Sequence, residues 1–171
     1  MKFSDKLFYF LQAFFINFEF NIFDKIRVFL YRPFFKKLGY GTRICSGVHF
    51  KYPSQIKIGN FCYLGKGTIV AGLGGIVIGD YALIGAHVKI CSGTHVAADI
   101  DKPICFQGLR KKSINIGSDV WIGFDCTVLL GSKIGDHSII GANSVILEDS
   151  DFSDYSIIAG TPASLKGKRN A

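Results

Sequence analysis

Proline is scarce in this chain of 171 residues, at four, and charged side chains make up only 19% against 49% hydrophobic. So little proline argues against a collagen-like or proline-rich linker architecture. The low charge excludes a disordered chain and leaves enough apolar mass for one buried core. Long apolar runs are missing too. The longest, Leu7 to Phe18, is 12 residues and is closed by Glu19, too short to span a bilayer. A signal peptide fits poorly, because Asp5 sits where such a segment is basic, the core is aromatic, and no small-residue cleavage site follows. The five cysteines form no CxxC pair. That argues against a disulfide framework or zinc ribbon and for a reduced, cytoplasmic compartment. The length is that of one domain.

The net charge of +7 is unevenly spread: residues 1–40 hold seven basic and three acidic side chains and 11 of the 16 phenylalanines. Two helices are expected over 4–37. Ser4 would cap the first, with Leu7, Leu11, Phe14, Phe18 and Ile22 at helical spacing. Asp24 would start the second, with Ile26, Phe29 and Leu30 on one side, before Arg32-Pro33 breaks it and Gly39 ends the region. Phe8, Phe10, Phe15 and Phe20 widen the apolar surface beyond one stripe. Full burial of a phenylalanine is worth ~1.5–3 kcal/mol, so this surface calls for a cover. One cover is the open end of the rest of the fold, which the segment would cap. The other is a membrane surface, with Lys2, Lys6, Lys25, Arg27, Arg32, Lys36 and Lys37 toward anionic headgroups. A peripheral position on the inner face of the cytoplasmic membrane would follow from the second.

Beyond this segment the chain repeats every six residues. Ile116, Ile122, Val128, Ile134, Ile140 and Ile146 follow without a gap; Ile58, Leu64, Val70 and Ile78, Ile84, Ile90 form an earlier run with two residues inserted near Leu73. Ile44 and Phe50 extend the series toward the N-terminus. The position four residues on is small or β-branched, as at Cys62, Thr68, Ala82, Val88, Thr94, Val120, Cys126, Ser132, Ser138 and Ser144. A period of six is neither helical nor simple strand alternation. It suits a coil that runs straight, turns and stacks on itself, with the aliphatic inward, the following glycine easing the turn, and the small residue at a corner. Cys45, Cys62, Cys91 and Cys126 fall on repeat positions and read as small packing residues; only Cys105 does not.

The period breaks between Ile90 and Ile116. Allowing one more hexapeptide at Val96, about fourteen residues are extra, and so long a loop in a solenoid points to function. It opens Gly93-Thr94-His95 and closes with Arg110-Lys111-Lys112. His49, His87 and His137 sit on outward repeat positions and are expected to be solvated. His95 stands where coil gives way to loop, where a neutral imidazole could act as a general base or merely close a turn.

Three motifs in this order, Thr94-His95, Val120-Trp121-Ile122-Gly123 and Ile158-Ala159-Gly160-Thr161-Pro162-Ala163, resemble those of the hexapeptide-repeat acyltransferases, of the sugar O-acetyltransferase type that acts in bacterial polysaccharide and O-antigen synthesis. The resemblance spans about 44–163. It implies an all-β, left-handed parallel β-helix of about five coils over 41–163, with a helical segment at 1–40, a loop at about 95–113 and a basic tail at 164–171. It also implies acetyl-CoA as co-substrate, a sugar or lipid-linked saccharide acceptor, a homotrimer, and His95 as catalytic base. Trp121, Phe124, Ala142, Leu147, Lys166 and Lys168 would contact the coenzyme, although Ser164 and Gly167 stand where some members carry arginine. Trp121 precedes the inward Ile122 and is expected to point outward.

Other classes fit less well. A γ-class carbonic anhydrase on the same fold needs three zinc-binding histidines, two of them four residues apart, and no pair here has that spacing. No metal is therefore expected. A non-enzymatic scaffold gives no reason for the long loop, and no nucleic-acid-binding module is present.

Overall fold

The computed structural model describes residues 3–170; Lys2, one of the cations named above, lies outside them. Two helices, α1 (Phe3–Phe15) and α2 (Asn21–Tyr31), precede a stack of short strands. The first coil is β1 (Lys37–Leu38), β2 (Arg43–Ile44) and β3 (His49–Lys51); the second is β4 (Ile56–Ile58), β5 (Tyr63–Leu64) and β6 (Ile69–Ala71). The third is β7 (Ile76–Ile78), β8 (Leu83–Ile84) and β9 (Lys89–Cys91), after which the chain leaves the stack as β10 (Gly93–His95) and β11 (Leu109–Lys111). It returns as β12 (Ile114–Ile116), β13 (Trp121–Ile122) and β14 (Thr127–Leu129), then β15 (Lys133–Ile134), β16 (Ile139–Ile140) and β17 (Val145–Ile146). A sixth coil begins with β18 (Asp151–Phe152) and β19 (Ser156–Gly160), on which β20 (Ala163–Lys168) folds back antiparallel.

Every third strand joins the same sheet. The orders are β1-β4-β7-β12-β15-β18, β2-β5-β8-β13-β16-β19-β20 and β3-β6-β9-β14-β17, so the coils form a three-sided parallel β-helix. Ile44 pairs with Leu64, and Leu64 with Ile84; beyond the excursion Ile122 pairs with Ile140, and Ile140 with Ile158. Early coils thus carry two more residues than later ones, placed at the corner between the third sheet and the first. The aliphatic repeat positions form the core: Ile44, Leu64, Ile84, Ile122, Ile140 and Ile158 are all buried, with Cys62, Ala82, Val120 and Cys126 at the corners beside them.

The glycine after each aliphatic has a different cause from the one expected. The left-handed backbone falls two residues later, at Phe61, Tyr81, Asp119 and His137. The glycine itself sits where coils meet. A Cβ on Gly79 would come 2.6 Å from the carbonyl carbon of Gly117, and one on Gly123 2.6 Å from the backbone nitrogen of Ala142.

The N-terminal helices do cap the stack, with other residues than those expected. Ser4 lies inside α1, and α2 begins at Asn21, three residues before Asp24. The first coil exposes an unpaired strand edge, and polar side chains from the helices meet it. Gln12 accepts from Phe50 N (2.7 Å) and donates to Phe50 O (3.2 Å), the carbonyl of Ile16 takes Gly47 N (2.6 Å), and Arg27 Nε donates to Ile44 O (2.9 Å). The inward faces are therefore Phe8 and Gln12 on α1 and Asp24, Arg27, Val28 and Tyr31 on α2. Buried Asp24 binds Arg27 at 2.6 Å and Arg43 at 2.9 Å, which answers its charge. Leu7, Phe14, Phe18, Ile22 and Phe29, expected on packed stripes, face out. The coil starts at Lys37, within the segment set apart as 1–40.

Candidate active site

His95 ends the first strand of a two-stranded hairpin. β10 and β11 pair antiparallel, with Gly93 opposite Lys111, Thr94 opposite Arg110 and His95 opposite Leu109. No hexapeptide begins at Val96; its N–H instead bonds Gly108 O at 3.1 Å, extending the hairpin. The base is fastened to the solenoid on two sides. Ser92 Oγ donates to Ala71 O (3.1 Å) and accepts from Gly74 N (2.9 Å), while Lys112 N donates to Ser92 O (3.1 Å). Arg110 and Lys112 bind Glu148 and Asp149 of a later coil at 2.5 and 2.6 Å. The basic run that closes the loop therefore clamps it to the coils. Farther out, Gln107 organises the tip, donating to Asp99 O at 2.7 Å and Lys102 O at 2.6 Å. The Asp99 carboxylate accepts from Asp101 N at 3.1 Å, so it serves the loop and not the imidazole. His95 is exposed, and its ring has no hydrogen bond among the described residues. The tip beyond it shows Ile100 (96% exposed), Ile104 and Phe106 to solvent.

Trp121 does point outward, half exposed, between Leu83 and Ile139 in register. It borders a cavity of about 200 Å³ shared with Tyr81, Asp119 and Arg169. Phe124 and Ala142 are exposed one coil apart at the next corner, and Leu147 is half exposed on the corner beneath the hairpin base. Within one chain Trp121, Phe124 and Ala142 do not converge with His95: Trp121 lies on the second sheet, Phe124 and Ala142 follow it, and the hairpin leaves from the corner after the third, above Leu147.

The C-terminal residues are folded rather than free. Lys168 Nζ binds Ser153 Oγ (2.5 Å), Asp154 O (2.6 Å) and Ser156 Oγ (3.2 Å), which ties β20 to the last corner. Lys166 is exposed and, among the described residues, bonds only Ser164 Oγ, at 3.0 Å.

Two of the three histidines expected to be solvated are engaged; His87 is exposed, its ring edge-on to Phe124. His49 lies under α1, 3.3 Å from Gln12 Nε2, and its pKa is lowered, first by burial and then by Lys51. His137 stacks on Tyr155 (4.7 Å between ring centres), and its Nδ1 lies 3.0 Å from Asp119, which also binds Arg169 at 3.0 Å. The hydrogen bond with His137 is the largest cause holding the Asp119 carboxyl below its usual range. The Asp119–His137–Arg169 group was missed in the sequence. The signal for part of it was there, since Asp119 and His137 are eighteen apart, one full later coil.

A stack of three-strand coils, broken by one histidine-bearing hairpin, defines a hexapeptide-repeat β-helix. Residues 113–148 match the family description "Bacterial transferase hexapeptide (six repeats)" and 55–97 match "Hexapeptide repeat of succinyl-transferase". The chain belongs to the hexapeptide-repeat acyltransferase family. It is 30% identical over 116 residues to the putative colanic acid biosynthesis acetyltransferase WcaF of Escherichia coli (strain K12), covering 68% of this chain and 61% of that protein. It is 31% identical over 119 residues to the galactoside O-acetyltransferase of the same organism, covering 66% and 55%. The chain thus spans about three fifths or less of the length of these relatives. A solved structure of galactoside acetyltransferase in complex with coenzyme A superposes with a TM-score of 0.86 at 26% identity, covering 98% of this chain and 81% of that one. The hexapeptide-repeat acetyltransferase VCA0836 of Vibrio cholerae, complexed with acetyl coenzyme A, superposes equally well at 24% identity. Among the described residues no three metal-ligating side chains converge.

Proposed function

We propose that this protein is an acetyl-CoA-dependent O-acetyltransferase that acts on a sugar hydroxyl in the synthesis of a cell-surface polysaccharide. The observation that carries the reading is His95 itself. It is an exposed imidazole without a competing hydrogen bond among the described residues, held on a hairpin that Arg110 and Lys112 fasten to the coils. Likeness to a galactoside O-acetyltransferase and to a colanic acid acetyltransferase supports the sugar acceptor.

In this reading neutral His95 takes the proton of an acceptor hydroxyl as its oxygen attacks the thioester carbonyl carbon. The carbon–sulfur bond then breaks, the imidazolium returns the proton to the leaving thiolate, and the products are an acetyl ester and coenzyme A. General-base assistance of this kind is worth ~10²–10⁴ in rate. Backbone N–H groups facing the site would hold the developing oxyanion.

The chain's own residues suit the donor. Phe124 and Ala142, exposed and one coil apart, leave an apolar step along which a pantetheine arm can lie, and Lys166 remains available to a phosphate. Lys168 is less available, being tied down by three hydrogen bonds. Since His95 and Trp121 stand on different sides of one solenoid, the site is completed by a neighbouring copy, as in a cyclic homotrimer. The exposed Ile100, Ile104 and Phe106 would rest on that neighbour.

The test is coenzyme A binding and acceptor-dependent thiol release, on wild type and His95→Ala, across a panel of sugars and lipid-linked saccharides. Comparable binding by both proteins, with release lost in the variant, is expected. Failure of the wild type to bind coenzyme A would sink the enzyme reading and leave a scaffold.

A further inference from the structure

The outer face of the two capping helices has no role in the site described above. Its large side chains are mainly apolar. On α1, Leu7, Phe10 (67% exposed) and Phe14 (61%) recur at helical spacing; on α2, Ile22 and Phe29 (79%) do the same with Lys25 between them. Phe18 joins the two groups, in ring contact with Phe14 at 5.9 Å and stacked on Phe23 at 4.6 Å. Water-facing apolar patches of this extent mark a surface with a partner. The inward faces of both helices are already packed on the first coil, so refolding cannot hide these residues.

The charge around the patch says which partner. Asp24 is answered by Arg27 and Arg43, and Glu19 by Lys66. Lys6 and Lys25, beside the exposed aromatics, have no hydrogen bond or ion pair among the described residues. Next to Phe29 a cavity of about 510 Å³ opens between α2 and the first coils, lined by Lys25, Arg32 and Arg43 together with Phe29, Tyr40 and Phe61. Cations over an apolar floor match an anionic headgroup with its acyl chains. A second copy of the same face would set lysine against lysine.

We propose that the outer face of α1 and α2 seats the protein on an anionic lipid bilayer, with Leu7, Phe10, Phe14 and Phe29 entering the interface and Lys6 and Lys25 meeting headgroup phosphates. The helices lie in the plane of the surface. No described helix is long and apolar enough to cross it. Each basic residue near such a surface strengthens partitioning ~5-fold, and added salt weakens that share. The proposal does not depend on the acyl-transfer reading.

Flotation with vesicles tests it, comparing phosphatidylcholine alone with phosphatidylcholine containing about a third phosphatidylglycerol. Wild type is expected to float with the anionic vesicles and to be partly released by salt. Phe10→Ser/Phe14→Ser/Phe29→Ser should lose flotation at least about 10-fold while melting like wild type, because these side chains are already in water. Lys6→Glu/Lys25→Glu should lose it on anionic vesicles by a similar factor. A wild type that stays with the protein fraction, or a serine variant that floats unchanged, overturns the proposal. So does a serine variant whose only change is a smaller oligomer on gel filtration, which would assign the face to another copy of the chain.

Discussion

The thiols of Cys62, Cys91 and Cys126 are pushed up in pKa, in each case chiefly by burial, and Cys62 and Cys126 also donate to Gly79 O and Gly141 O at 3.1 Å. Cys105 is exposed on the hairpin. A thiol reagent at neutral pH should therefore modify Cys105 first and reach Cys62 and Cys126 only on unfolding, since the thiolate is the reactive form. Peptide mapping of a labelling time course checks this, with Cys105→Ser removing the fast phase; fast labelling of Cys62 in folded protein would contradict it. The repeat pattern already sorted these residues, because a six-residue period assigns each position a side and a size. The same pattern places His137 against Asp119, eighteen residues away, only once the number of residues in one coil is known. Later coils hold eighteen and earlier ones twenty, a difference set at one corner.

At the scale of elements, the cap teaches how non-local the N-terminal segment is. Its helices were legible from spacing, but the face each presents inward was not. An apolar stripe seeks burial, yet a solenoid's first coil offers an edge of unpaired N–H and C=O groups, and leaving such groups buried without partners costs about 1–3 kcal/mol each. Gln12 and Arg27 turn inward to satisfy them, and the phenylalanines turn out. His49 sits under this cap with its pKa lowered, so the folded state prefers the neutral ring. The unfolded chain then takes up its proton first as pH falls through the ordinary histidine range near ~6.5. Stability contributed by the neutral ring is fully present above that range. It declines as pH drops toward the folded value and levels off below it. Urea midpoints measured from about pH 8 to about pH 5 should show this decline in wild type and a shallower one in His49→Gln. Identical slopes in the two proteins would remove His49 from the account.

For the whole molecule, the stacked architecture was legible because every coil buries the same kind of residue. The loop was legible as an interruption but not as a hairpin: Val96 looked like a repeat position, and only the pairing of Gly93-Thr94-His95 with Leu109-Arg110-Lys111 shows otherwise. Nothing in one chain's sequence says that His95 and Trp121 would end on different sides of the prism. That separation leads to the central claim, a catalytic site shared between copies, and co-assembly of two inactive variants tests it most directly. His95→Ala and Trp121→Ala chains, co-expressed with different tags and purified as mixed oligomers, each supply the half that the other lacks. If each site draws its histidine from one copy and its tryptophan from the next, every mixed trimer keeps one intact site in three, so about a third of the wild-type sites should be restored. Recovery of acetyl transfer near that level is the expected result; mixed oligomers as inactive as either variant alone would contradict the shared site.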